Sequence, residues 1–287
     1  MHMSQSRMPD FIIIGSMKSG TTTLHEDLDL HPDVVMSSWK EPGYFVGPDF
    51  GGPEKLPLQA ARTAEYARLF SNVKEGQICG ESSTHYTKLH KLPNAAQNIF
   101  DTLGANTKLI YVMRDPVKRA VSQYGHEHQH GEIDIATLSA AVDSYDPMID
   151  TSRYAMQLAP YQDLFPAQNI LCLKFENIVA NRQAYVEKVL EFIGADVSLM
   201  PELDDATVRN TAEARRSWSG WARKLRAWPF FQTHIEPRLP NDLLKLLKKM
   251  VTKKPKPIVL GGDKAEIEAR ILSKLSAQDL AVYEAAL

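Results

Sequence analysis

The chain has 287 residues, 44% hydrophobic and 24% charged, with a net charge of −2. This is globular composition with enough apolar material for a sizeable core, and the near-neutral balance excludes a general polyanion-binding surface, hence a non-specific nucleic-acid binder. The apolar runs are too short to span a bilayer and the N-terminal MHMSQSRMPD lacks a signal-peptide core, so a soluble cytoplasmic chain without stable membrane insertion is expected.

In chain order, Phe11–Ile14 form an apolar run with three β-branched residues, which predicts a strand buried on both faces, as in a parallel sheet. Gly15 to Gly20 make a short polar turn, and a helix follows from Thr21, with Leu24 and Leu28 one turn apart. A short strand is expected at Val34–Met36, then a Gly- and Pro-rich loop carrying Trp39, Lys40, Glu41, Tyr44 and Phe45. Further helices are expected over 58–70 and 93–103, and strands over 77–81, 108–113 and 170–174. Pro116 opens another helix, and two more are expected near 154–165 and 183–193. Cys79 and Cys172 sit in apolar runs and read as strand residues rather than a disulfide or a metal site.

Strands alternating with helices predict a mostly parallel α/β sheet with ligands at the carboxyl ends of its strands. A single domain is expected: residues 1–9 a flexible N-terminus, 10–200 an α/β core of the P-loop type, and 201–287 a C-terminal helical extension. That extension holds Trp218, Trp221 and Trp228, a lysine-rich run read as a solvated helix face, and a final helix over 277–287.

Strand, glycine-bounded turn and helix is the layout of a phosphate cradle, in which turn N–H groups and the positive helix end converge on an anion. The spacing of Gly15, Gly20 and Thr22 nearly matches a nucleotide P-loop, yet Thr21 stands where the lysine belongs and the lysine is Lys18. A lysine moved back by three residues suits a shorter group whose bridging oxygen needs a positive charge. A kinase using ATP and Mg²⁺ is the competing reading; the altered lysine slot disfavours it. A nucleotide-binding scaffold without turnover is the third. A second anchor lies at R-D-P-x-x-R-A-x-S-x-Y: Arg114 at a strand's carboxyl end and Ser122 on the next helix could hold a separate phosphate. Asp115 before Pro116 suits an N-cap.

The pair FIIIGSMKSGTTTL and LIYVMRDPVKRAVSQY resembles the two signatures by which sulfotransferases bind 3′-phosphoadenosine 5′-phosphosulfate (PAPS). The likeness covers about two-thirds of the chain and is similar to the bacterial and heparan-sulfate-type glycan enzymes of that superfamily. The resemblance implies that Lys18, Ser19, Gly20, Thr21, Thr22 and Thr23 bind the 5′-phosphosulfate, and that Arg114 and Ser122 bind the 3′-phosphate. It implies a late loop over the nucleotide near Arg215. KEPGYF is similar to the stretch in which those enzymes carry their general base, which gives Glu41 that role and Lys18 the charge on the leaving oxygen. Gly43 and Ser82 stand where glycan enzymes often have histidine and lysine. The product would be adenosine 3′,5′-bisphosphate (PAP), the acceptor a hydroxyl or amine of a carbohydrate or glycolipid, and no metal would be required.

His85 is the rival base, and Tyr44, His85, His126 and Tyr154 are candidate acceptor contacts. Among His126, His128 and His130, a helix puts only His126 and His130 on one face, so at most two could ligate a metal together.

Overall fold

A computed structural model describes residues 7–47, 59–203, 217–218, 252–253 and 257–287, with side chains described outside 59–62, 217–218 and 252–253. Five strands, β1 (Phe11–Gly15), β2 (Val34–Met36), β3 (Ile78–Ser82), β4 (Lys108–Met113) and β5 (Ile170–Lys174), form one sheet in the order β2-β3-β1-β4-β5. Every neighbouring pair is parallel. The expected parallel sheet is therefore present, with β1 at its centre. A two-residue antiparallel pair, β6 (Ser217–Trp218) with β7 (Thr252–Lys253), forms a second, separate sheet.

Eleven described helices accompany the strands. They are α1 (Thr21–Leu28), α2 (Gln59–Arg68), α3 (Ala95–Leu103), α4 (Pro116–His130), α5 (Leu138–Ser144), α6 (Asp146–Asp150), α7 (Tyr154–Leu164), α8 (Phe175–Ala180), α9 (Arg182–Ile193), α10 (Lys264–Ser273) and α11 (Ala277–Ala285).

The period of two along β1 and β4 sorts the core into two layers. Phe11, Ile13, Ile110 and Val112 face α1 and α9, meeting Leu24, Leu28, Val186, Val189 and Leu190. Ile12, Ile14, Leu109 and Tyr111 face the other way, onto Ile99 of α3 and Leu158 and Tyr161 of α7. All of these strand residues are fully buried or nearly so, and each large aliphatic contributes about 1.5–3 kcal/mol by leaving water. Gly80 permits this packing, because a Cβ there would lie 2.2 Å from the Phe11 ring.

A third apolar cluster joins α4 to α5, α6 and α10 through Val117, Ala120, Leu138, Val142, Met148, Ile149, Ile267 and Ile271. The sequence reading contains none of α5, α6 and α10. Thr137 and Asp263 cap α5 and α10. In the otherwise polar α10, Ile267 and Ile271 alone are buried, a stripe too narrow to register as a periodic pattern. The chain's end returns to the sheet: the Lys174 N–H donates to the Leu287 carbonyl and the Leu287 N–H to that of Cys172 (2.7 and 3.0 Å), covering part of the β5 edge.

Candidate active site at the carboxyl edge of the sheet

Because all five strands run the same way, the segments after β1, β2, β3 and β4 emerge on one edge. They are the Ser16–Gly20 loop, the Ser37–Glu41 segment, the Ser83–His85 turn and Arg114–Asp115. Four stretches far apart in sequence thereby meet.

The β1 loop is held from within. The Ser16 N–H donates to the Val112 carbonyl at 2.7 Å, and the buried hydroxyls of Ser16 and Ser19 lie 2.6 Å apart. The Thr87 hydroxyl donates to the Ile14 carbonyl at 3.1 Å, and a Cβ on Gly15 would sit 2.0 Å from that hydroxyl. Ser19 thus turns its side chain inward, leaving the backbone as its route to a ligand. Gly20 caps α1 at φ +82° without any side-chain cap, so the first-turn N–H groups of Thr21, Thr22 and Thr23 have no partner within the helix. A Cβ on Gly20 would meet Phe175 at 2.5 Å. Thr21 is buried, whereas Thr22 and Thr23 are half-buried.

Arg114 meets this loop directly. Its Nη1 donates to the Lys18 carbonyl at 3.3 Å, and its guanidinium lies 5.0 Å over the Phe175 ring. Its Nε is buried with no hydrogen-bond partner among the described residues. A buried guanidinium N–H without an acceptor is costly unless an anion completes it, which fits a phosphate beside Arg114. Ser122 is half-buried two turns along α4. Asp115 caps α4 by accepting the Lys118 N–H at 2.8 Å, and its own N–H donates to Glu176 Oε1 at 3.1 Å.

Glu41 sits across the same edge. Its N–H donates to the Ser82 carbonyl at 2.9 Å, and its carboxylate accepts from Lys40 Nζ (2.5 Å) and the Thr84 N–H (2.7 Å). His85 Nε2 lies 3.9 Å away. Burial pushes the Glu41 carboxyl up, but the Lys40 charge and hydrogen bond, with His85 and the Thr84 N–H, hold it below the ordinary value. His85 is pushed down to about 4 by burial and by Lys88, against the pull of Glu41. At neutral pH the edge therefore presents an ionised carboxylate beside a neutral imidazole.

Lys18 (φ +71°) and Glu41 (φ +62°) are the non-glycine residues at positive φ among the described residues. Such backbone costs of order 1–3 kcal/mol, persists where surrounding contacts over-determine it, and clusters at functional sites. No periodicity or motif spacing carries that information.

Other residues singled out from sequence have more internal positions. Tyr154 is buried; its hydroxyl donates to the Arg114 carbonyl (2.5 Å) and accepts the Arg114 N–H (3.2 Å), so it braces the arginine from behind. Tyr44 stacks on Tyr66 at 4.2 Å, and its hydroxyl lies 2.6 Å from that of Thr63. His126 is half-buried with its ring 4.2 Å from that of His130, whereas His128 stacks on Tyr124. Arg215 and most of the Trp- and lysine-rich stretch lie outside the described residues.

The sulfotransferase domain profile matches residues 8–233. The chain belongs to the sulfotransferase family. It is 38% identical over 117 residues to the membrane-associated sulfotransferase kil1 of Dictyostelium discoideum, covering 41% of this chain and 22% of that protein. It is 30% identical over 196 residues to the mouse heparan sulfate glucosamine 3-O-sulfotransferase 3A1, covering 66% of this chain and 46% of that one. The chain therefore spans less than half the length of these curated relatives. A solved sulfotransferase from Alicyclobacillus acidocaldarius superposes with TM-score 0.57 at 25% identity, over 71% of this chain and 87% of that one. Among the described residues no helix is long and apolar enough to cross a membrane.

Two further residues, Arg119 and Glu81, lie buried beneath this edge. Arg119 is fully buried; it donates from Nε to the Ser152 hydroxyl at 2.6 Å and from Nη1 to Gln123 Oε1 at 2.7 Å, with a longer contact of 3.5 Å to the Met17 carbonyl. It stands inside the R-D-P-x-x-R-A motif, so the signal was present without an assigned role. Glu81 is fully buried. It accepts the hydroxyls of Tyr66 and Tyr86 (2.8 and 2.7 Å). Burial pushes it up to about 8 against the pull of those two hydrogen bonds.

Proposed function

We propose that this chain transfers the sulfuryl group of PAPS to a hydroxyl or amine of a sugar-containing acceptor, with Glu41 as general base. The observation that carries the reading is the junction of the two anchors: Arg114 donates to the carbonyl of Lys18 while keeping a buried N–H for an anion. Lys18 to Thr23 form the 5′ cradle, and Arg114 with Ser122 the 3′-phosphate site. Arg215 is proposed to join the nucleotide site from the family resemblance alone.

PAPS supplies an activated sulfuryl group on a stable bisphosphate leaving group. The acceptor atom bonds to sulfur as the bond from sulfur to the bridging oxygen breaks, and PAP departs. Glu41 takes the acceptor's proton; such help is worth about 10²–10⁴-fold. Its lowered proton affinity keeps it ionised at neutral pH, and Lys40 and the Thr84 N–H fix its direction. Lys18 offsets the negative charge that grows on the bridging oxygen. His85 lies beside the base, suited to contacting the acceptor. The names of the heparan sulfate relatives support a glucosamine-containing sugar as the acceptor, and no metal takes part in the transfer.

The test is calorimetric titration with PAP, and separately with ATP and Mg²⁺, of the wild type, Lys18→Ala and Arg114→Ala. Metal-independent binding of PAP that weakens in both variants is the expected result. Binding of ATP with Mg²⁺ in preference to PAP would overturn the assignment in favour of a kinase.

A further inference from the structure

We propose that the C-terminal turn of α4 carries a divalent transition-metal site built from His126, His130 and Glu132, outside the transfer chemistry. One ligand atom from each of the three lies within 4.8 Å of the other two. Helical geometry brings His126 and His130 together, since residues four apart lie one above the other. Glu132 is returned to them by the way the helix ends. Gly131 takes φ +66°, its N–H donates to the His128 carbonyl at 3.2 Å, and the Glu132 N–H donates to the Glu127 carbonyl at 2.9 Å. This pair of bonds is the Schellman ending, which folds the chain back over the last turn.

A second observation concerns the imidazole itself. His130 Nδ1 lies 2.6 Å from the His126 carbonyl oxygen. A carbonyl only accepts, so Nδ1 carries the proton and Nε2 holds the lone pair. An imidazole oriented by a backbone carbonyl through its other nitrogen is the arrangement metal-ligating histidines adopt. Two imidazoles and a carboxylate suit Zn²⁺ and its neighbours in the Irving–Williams order rather than Mg²⁺ or Ca²⁺, which take oxygen ligands. Ligand atoms would lie about 2.0–2.2 Å from a common ion. His126 and His130 are half-buried and Glu132 is exposed, so the site opens to solvent. Three protein ligands leave a fourth position for water.

The ion would sit on a functional face. Ser122, His126 and His130 recur at intervals of four along α4, so the site continues the stripe that begins at the serine proposed for the 3′-phosphate. It does not depend on that reading, since its ligands and its readout are separate.

The experiment is titration of zinc sulfate into the chelator-treated full chain, followed by calorimetry, with visible absorption of the Co²⁺ form as a second readout. Wild type and His128→Ala, a histidine of the same helix outside the cluster, should show one saturable site and tetrahedral Co²⁺ bands. His130→Ala should lose both signals, and Glu132→Gln should weaken zinc binding by about tenfold or more. Because Glu132 is exposed, its variant folds even if His130→Ala does not. Absence of a saturable site in the wild type, or binding undiminished in Glu132→Gln, would overturn the proposal.

Discussion

Replacing Glu41 by Gln tests the proposed chemistry most directly, because it removes a proton acceptor while keeping shape. The amide still has an oxygen to accept the Thr84 N–H, now 2.7 Å from the carboxylate, but it loses the charge facing Lys40 Nζ at 2.5 Å. If Glu41 is the base, kcat falls by about 10²–10⁴-fold, equivalent to about 2.7–5.4 kcal/mol of transition-state stabilisation at 1.36 kcal/mol per factor of ten. PAP affinity should stay within a factor of about three, since the residue lies across the edge from the nucleotide anchors. The assay is PAP release with a glucosamine-containing oligosaccharide, followed from neutral pH down through the acid range below the ordinary carboxyl value. The base works ionised, so wild-type activity is present at neutral pH and is lost as pH falls through the depressed Glu41 value; the Gln variant lacks that acid limb. Retention of wild-type kcat within about threefold would refute the role. If His85→Asn then lost the rate instead, the imidazole would be the base.

Three further outcomes follow from the packing around the site. Tyr154→Phe strips the buried backbone of Arg114 of its partner, which should cost about 1–3 kcal/mol in urea unfolding and weaken PAP binding; equal affinity would show that Arg114 needs no brace. Gly20→Ala forces a side chain into φ +82° against Phe175, adding about 1–2 kcal/mol of backbone strain to the clash, and should lower both the unfolding midpoint and PAP affinity. Glu81→Gln replaces a carboxyl pushed up to about 8 by burial. In the wild type the native state holds a proton that the unfolded chain releases above its ordinary value of about 4.3. Wild-type stability should therefore fall between about pH 4 and 8, by up to about 1.4 kcal/mol per pH unit, and the variant should gain relative to it across that window. A flat difference between pH 5 and 8 would show that Glu81 is ionised in the native chain.

The sheet was legible from sequence wherever burial on both faces produces an unbroken apolar run. The expected β4 and β5 match the structure end to end, and β3 differs by one residue. The helices opened by Pro116 and Thr21 start where expected, because local chemistry marks them: an aspartate cap before proline, and a glycine before threonines. Of the unread helices, α5, α6 and α10 bury only two or three apolar residues each, and tertiary contact with α4 supplies the stability.

For the site, sequence by itself determined its ingredients: a lysine within a glycine-bounded loop, an arginine at a strand end, a serine on the next helix and a glutamate in a loop. Those are local patterns, set by residue type and spacing. Which of them meet was decided by tertiary structure, because a parallel sheet of order β2-β3-β1-β4-β5 brings to one edge segments separated by up to about a hundred residues. The same packing turned Tyr154 behind Arg114, buried Glu81 between two tyrosines, and drew Lys18 and Glu41 into left-handed backbone. Burial, charge proximity and backbone strain are properties of the assembled neighbourhood, and no residue carries them alone.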